Sequence, residues 1–353
     1  MPDVDLAKLD AFKRKLLPEL GGAASMVVAM LGDKTGLFRA MAGAGPLTST
    51  QLAGSTGCAE RLVREWLNAM ASAGWIDCDP AVPTYTLTPE QALVWADEES
   101  PHNMQGFFQS TASMIFDLDR TAEAFRTGKG VPWGDRHLCL FCGTERFFRP
   151  GYIANIVDHW IPALDGVQEK LEAGARFADV GCGYGISTVL LAEAFPNSTF
   201  VGYDFHAPSI DRAREKAAEM GLANTRFEVA AAKGYGERGF DVIAFFDCLH
   251  DMGDPVGAMA HARQALTPDG TVMLVEPFAS DALADNLGPV SRLFYSGSTC
   301  VCVPASMSQE VGLALGAQAG AARLRAVALE AGFADLQPVM TSDFNMVLQA
   351  HQR

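Results

Sequence analysis

Apolar residues recur at intervals of three and four along residues 6–38, a spacing that predicts a helix. Two shorter helical stretches follow at 46–53 and 58–67, and the second runs on to a stop at Gly74. Residues 75–77 and 84–87 then alternate as a small hairpin. Two helices joined by a turn and followed by a hairpin make a winged helix.

Residues 101–163 carry a dense set of aromatic and methionine side chains, among them Trp133, Phe147, Tyr152 and Trp160. This stretch predicts linking helices, with most of these side chains in a core and a few on a ligand pocket. From residue 177 the pattern changes to strand and helix in alternation. Strands are expected at 177–180, 199–203, 226–230, 241–246 and 271–276, with helices at 210–220 and 256–265 between them. Pro268-Asp269-Gly270 predicts a turn before the last of these strands. A long insertion at 277–320 precedes a helix at 322–331 and a terminal strand pair at 336–341 and 345–350. The alternation predicts an α/β fold, a doubly wound, mostly parallel sheet of seven strands, behind a mainly α winged-helix domain. The expected domains are 1–100, a helical linker at 101–165 that contributes to an acceptor pocket, and 166–353.

Charge and composition narrow the partners. Apolar residues make up 49% of the 353, enough for two domains with a large core. The net charge of −15 disfavours nucleic acid and anionic membrane surfaces. Residues 1–100 carry eight Lys/Arg against thirteen Asp/Glu, which argues against DNA reading by the winged helix and favours dimerisation or packing. The first fifteen residues have no secretory core, and the apolar stretch 23–31 is too short to span a bilayer, so a soluble cytoplasmic protein is expected. Eight cysteines in so long a chain do not suggest a disulfide framework.

The densest chemistry lies at Ala178-Asp179-Val180-Gly181-Cys182-Gly183-Tyr184-Gly185. Three alternating glycines after a strand let the backbone turn sharply and approach a ligand, with the free N–H groups of a helix start behind them. Nineteen residues beyond Gly185, a second apolar run ends in Asp204, where a carboxylate can accept from both hydroxyls of a ribose. A dinucleotide fingerprint would need glycine at position 186, which is Ile186, and no Gly-Lys-Ser/Thr follows for a phosphate loop. The fourth strand runs into Asp247-Cys248-Leu249-His250-Asp251, so His250 lies just past a strand end on the glycine-loop edge. Glu276 ends the adjacent strand, roughly 5 Å away, within reach of the imidazole. Such a pair fixes the tautomer and supports the imidazolium once it forms.

The Asp-x-Gly-x-Gly-x-Gly segment resembles motif I of class I S-adenosylmethionine methyltransferases. His250-Asp251 with Met252, Gly253 and Asp254 looks like the His-Asp-Trp-x-Asp segment of caffeic-acid-type small-molecule O-methyltransferases. The layout is similar over nearly the whole chain and closest to bacterial winged-helix members. The resemblance implies S-adenosylmethionine as cofactor, a homodimer, and a small-molecule acceptor, first a phenol-like hydroxyl, otherwise sulfur or nitrogen. It implies His250 as general base with Glu276 orienting it. Asp179, Gly181, Gly183, Gly185, Asp204 and Phe205 would hold the cofactor, with Ala231, Ala232 and Phe246 on its adenine side. Trp133, Phe147, Tyr152, Trp160, Phe294, Tyr295 and Met307 are the candidates for the acceptor pocket.

Three positions depart from the plant pattern. The third acid falls on Gln318, a lysine before the histidine falls on Phe246, and the adenine-contacting acid falls in Ala231-Ala232-Lys233. A SAM-sensing regulator without catalysis is the contrasting reading, and retained His250 and Glu276 speak against it. Cys139 and Cys142 with His137, or Cys300 with Cys302, could bind a soft metal or be plain thiols; no metal is expected. Asp247 and Asp251 are either supports behind the site or solvated loop acids.

Overall fold

Gly36, in the left-handed region at φ 72°, ends the first helix, Leu6–Thr35, and a second begins at once as Leu37–Met41. The single helix expected over 6–38 is therefore two. This computed structural model describes residues 4–352. The chain forms two units, Met1–Ala112 with Arg146–Pro150, and Ser113–Glu145 with Gly151–Arg353. The stretch 101–165, expected as one linker, is thus divided between them.

In the first unit the helices Ser49–Thr56 and Glu60–Ser72 precede an antiparallel hairpin of β1 (Asp77–Asp79) and β2 (Thr84–Thr86). Thr48 starts the third helix with a capping box, its hydroxyl accepting from Gln51 N while Gln51 reaches back. Val63, Trp66, Leu67 and Met70 bury one face of Glu60–Ser72 against Phe38, Leu52 and Trp95. Gly32 is obligatory here, because a Cβ would lie 2.4 Å from the Trp66 ring. The opposite face of the same helix pairs its own charges, Arg61 with Glu65 and Arg64 with Glu60.

Helix Leu6–Thr35 is mostly exposed. Leu9, Phe12, Leu16, Leu20, Val27 and Leu31 are all open to solvent, at spacings that place them on one side. By length and composition alone this helix is long and apolar enough to cross a membrane, which residues 23–31 taken alone are not.

The second unit is a seven-stranded sheet. Its strands are β3 (Arg176–Val180), β4 (Thr199–Asp204), β5 (Thr225–Val229), β6 (Phe240–Phe246), β7 (Leu266–Pro277), β8 (Gln337–Thr341) and β9 (Asn345–His351). The order is β5-β4-β3-β6-β7-β9-β8; the first five are parallel and β9 is antiparallel to both neighbours. The order reverses at β3, between β4 and β6, so the switch point falls beside the glycine loop. Central strands are apolar on both faces, as Val242–Phe245 and Val272–Val275 show, because helices cover both sides. The turn expected at 268–270 lies inside β7 as a bulge. There the pairing jumps from Phe240↔Leu266 to Val242↔Thr271, so one strand carries three more residues than its partner.

Candidate active site at the carboxyl edge of the sheet

Where β3 ends, the chain turns through Gly181, Gly183 and Gly185, at φ 80°, 53° and 74°. Only glycine takes three such angles without strain. Tyr203 O on β4 accepts from Gly181 N (2.7 Å) and Cys182 N (3.1 Å), which fixes the loop against the neighbouring strand. Gly185 packs so closely that a Cβ would lie 2.6 Å from the Phe227 ring. At Gly183 a Cβ would meet nothing within 4 Å, so the middle of the loop faces open space. The helix Ile186–Ala194 begins directly behind it with no side-chain cap.

Four strands in a row end in acids, and each acid is buried. Asp179 takes the hydroxyls of Ser187 (2.5 Å) and Thr188 (2.7 Å), the first turn of that helix. Burial pushes its pKa up to about 6. Asp204 accepts Gly183 N on one oxygen (2.9 Å) and His206 N on the other (2.8 Å). Burial raises its pKa too, against those two bonds. Each Asp204 oxygen keeps a further lone pair. Asp247, just past β6, accepts the Tyr152 hydroxyl (2.9 Å) and the Asn345 amide (2.9 Å). Its backbone sits at φ 49°, a conformation aspartate tolerates better than most residues, at the corner into the turn Leu249–Asp251. Burial, with the Glu276 charge added, lifts its pKa to about 8.

Glu276, the fourth acid, is bonded to His250 Nδ1 and also accepts His250 N at 3.3 Å. Both side chains are almost fully buried. His250 Nε2 faces Asp251 Oδ1 at 3.2 Å. Burial opposes the charged imidazole, but Glu276 and Asp251 outweigh it and hold the pKa well above the ordinary histidine value. Cys302 Sγ joins the same cluster, and its thiol is pushed up to about 12, chiefly by burial.

The other sequence candidates fall in several places. Phe205 is exposed beside Asp204, while Ala231 and Ala232 follow β5, whose next residue, Ala230, donates to Asp204 O. Lys233 is tied to Asp254 (2.7 Å) and Glu310 (2.9 Å). Phe246 is buried at the end of β6 against Tyr152, and Trp160 packs edge-on to Tyr152 in the core. Phe147 belongs to the first unit, with Phe107 and Phe148. Trp133 meets Phe141, which stacks on His206 at 4.7 Å, so it stands on the Asp204 side. In the insertion, Phe294 packs edge-on to Phe344, Tyr295 is half-buried and Met307 is exposed. Gln318, where the third acid was expected, donates to Phe278 O (3.0 Å) and leaves a buried carbonyl oxygen without a partner. Cys139 and Cys142 form no metal-ligating group among the described residues; Cys142 lies beside the Tyr184 hydroxyl instead.

Sequence reasoning left Asp247 undecided, held Phe141 only as one of the many aromatic residues of 101–163, and missed Asn345 and His206. Asp247 stands one residue past a strand, a place where acids recur in this chain, and that repetition is the signal that was available. Nothing in the sequence joins Cys302 to His250.

Comparison with known proteins follows the same division. The family described as a methyltransferase domain matches residues 171–312, and an Rv2258c-like winged HTH domain matches residues 22–96. A ubiquinone biosynthesis O-methyltransferase of Actinobacillus pleuropneumoniae serotype 7 is 32% identical over 133 residues, which are 35% of this chain and 54% of that protein. The chain spans about half the length, or less, of the first curated relatives it matches. Human N-acetylserotonin methyltransferase, solved with S-adenosylmethionine, is 17% identical, with a TM-score of 0.72 over 99% of each chain. An O-methyltransferase from neocarzinostatin biosynthesis, solved with S-adenosylmethionine and 2-hydroxy-5-methyl naphthoic acid, is also 17% identical. Its TM-score is 0.62 over 93% of this chain and 96% of that one. These two share the fold.

Asp247 gives a measurable pH effect. Its folded pKa of about 8 lies above the ordinary aspartate value of 3.8, so the native state binds the extra proton between those limits. Stability therefore falls as pH rises through that window. The urea midpoint of the wild type is expected to drop more between pH 5 and pH 8 than that of Asp247→Asn. Parallel slopes in the two proteins would mean that Asp247 is ionised throughout.

Proposed function

We propose that this chain, a methyltransferase domain joined to a winged HTH domain, transfers a methyl group to a phenol-like hydroxyl of a small molecule, with His250 as general base. S-adenosylmethionine is the cofactor, and it supplies a methyl group already activated on a sulfonium. The buried Glu276–His250 pair, on the same sheet edge as the glycine loop, carries this reading.

The remaining roles are those of holding and orienting. Gly181, Gly183 and Gly185 bring backbone to the cofactor, and the open space before Gly183 leaves room for it. Asp204, with a lone pair spare on each oxygen, takes the ribose hydroxyls. Asp179 ties the first turn of the following helix and so shapes the loop. Phe205, Ala231, Ala232 and Phe246 give the adenine side apolar and backbone contact. Glu276 holds Nδ1, so Nε2, which faces Asp251 Oδ1 at 3.2 Å, is the nitrogen that would take the acceptor proton. Imidazole must be neutral to act, and a cation bound on the same edge lowers its proton affinity. A phenol has a pKa of about 10, so base assistance matters for it. The neighbour solved with a hydroxynaphthoic acid supports a phenolic acceptor. Tyr152, Trp160, Trp133, Phe294, Tyr295 and Met307, all in the second unit, remain our candidates around the acceptor.

We read the winged helix as an assembly module. Both arginines of Glu60–Ser72 that would meet DNA are paired within the helix. The exposed apolar row from Leu9 to Leu31 suits a second copy of the chain. Eight cysteines with no disulfide among the described residues suit a reducing cytoplasm.

His250→Ala is expected to lower kcat for a phenolic acceptor by about 10²–10⁴-fold while S-adenosylhomocysteine still binds. Undiminished turnover would remove His250 as base and point to a sulfur or nitrogen acceptor. Sedimentation velocity should find a dimer that Phe12→Glu with Leu20→Glu converts to monomer. A monomeric wild type would refute the assembly.

A further inference from the structure

Cys302 is the residue at the imidazole that methyl transfer does not use. It ends the π-helical turn Ser298–Cys302 in the insertion, and it is buried. Its Sγ, His250 Nε2 or Nδ1 and an Asp251 carboxylate oxygen lie within 4.8 Å of one another. Nδ1 is already held by Glu276, so Nε2 is the atom available. Nε2 and Asp251 Oδ1 are 3.2 Å apart. Two such donors on one tetrahedral zinc stand about 3.3 Å apart, given bonds of roughly 2.0–2.2 Å.

Two further observations point the same way. Asp251 Oδ1 is shielded from solvent, makes no hydrogen bond of good geometry, and faces His250 Nε2, while the carboxylate also meets the Cys302 thiol, so the three groups share one small polar space. Glu276 behind Nδ1 reproduces the carboxylate–histidine–metal arrangement that orients a metal-ligating imidazole. Arg136, the buried cation of this region, donates to Val301 O (3.3 Å) and feels the Asp251 charge without bonding it. We infer that His250, Asp251 and Cys302 bind one divalent cation of the zinc class, with a fourth position left open.

A sulfur, a nitrogen and an oxygen donor select zinc over magnesium or calcium, which prefer oxygen alone. Binding is a proton exchange without redox change. The Cys302 thiol proton and the imidazolium Nε2 proton leave to solvent, and three metal–ligand bonds form. Affinity therefore rises with pH. An ion on Nε2 takes the lone pair that a base needs, so zinc suppresses His250-dependent turnover. That consequence rests on the proposed function; the binding does not.

Cobalt(II) is the probe. The full chain, stripped with a chelator and titrated with Co²⁺, should take up one equivalent with the visible bands of a four-coordinate ion and a thiolate charge-transfer band. Zinc should displace it. Cys302→Ser should lose the charge-transfer band, Asp251→Asn should weaken binding by at least about tenfold, and Cys139→Ser should keep the full spectrum. Binding of S-adenosylhomocysteine confirms that each variant is folded. The absence of a saturable cobalt spectrum in the wild type, or a spectrum unchanged in both Cys302→Ser and Asp251→Asn, overturns the site. If cobalt binds as described but zinc leaves phenol turnover unaffected, the metal site stands and the base role of His250 falls.

Discussion

Four carboxylates are buried at the ends of four adjacent strands, and the site is built from the donors they require. Asp204, Asp179, Asp247 and Glu276 close β4, β3, β6 and β7 in sheet order. A carboxylate out of water is unstable unless it is hydrogen-bonded or protonated. Each therefore captures donors: two backbone N–H groups for Asp204, two helix hydroxyls for Asp179, Tyr152 and Asn345 for Asp247, and the imidazole for Glu276. These captures fix the glycine loop, the start of its helix, the corner after β6 and the orientation of His250.

The four acids are not equivalent. Burial raises Asp179 to about 6, Asp247 to about 8 and Asp204 in the same direction, but Asp179 and Asp247 spend both their bonds on side chains of the structure. In the proposed reading, Asp204 and Glu276 face the two ends of the chemistry. The Asp204 oxygens keep lone pairs on the side of the open loop. Glu276 spends its charge on an imidazole and supports whatever positive charge forms there. On that reading, one sheet edge separates a binding end from a reacting end by strand order, with β3 and β6 between them.

Much of this was legible in the sequence because the signals are local. Alternating glycines after an apolar run, an acid nineteen residues on, and apolar runs with both faces buried need no long-range information. The parallel strands fell within a residue or two of expectation, except that β7 extends through a bulge at Pro268-Asp269-Gly270, where turn residues bend the strand without ending it. The first helix broke at Gly36, which composition had offered no reason to prefer over Gly21 or Gly22, both of which lie inside the helix. Contacts across the chain were not legible. Asn345 reaches Asp247 from a strand 98 residues away, and Cys302 comes to His250 on an insertion whose path no periodicity fixes.

The central claim is that a sulfonium nucleoside binds across this acid-ended edge and is held at its ribose by Asp204. Isothermal titration of the purified chain with S-adenosylhomocysteine tests it most directly. The account predicts saturable heat at one ligand per chain, and a loss of affinity of about 10–100-fold in Asp204→Ala, as expected for a hydrogen-bonded charged group. No heat with the wild type, or equal affinity in Asp204→Ala, would contradict it.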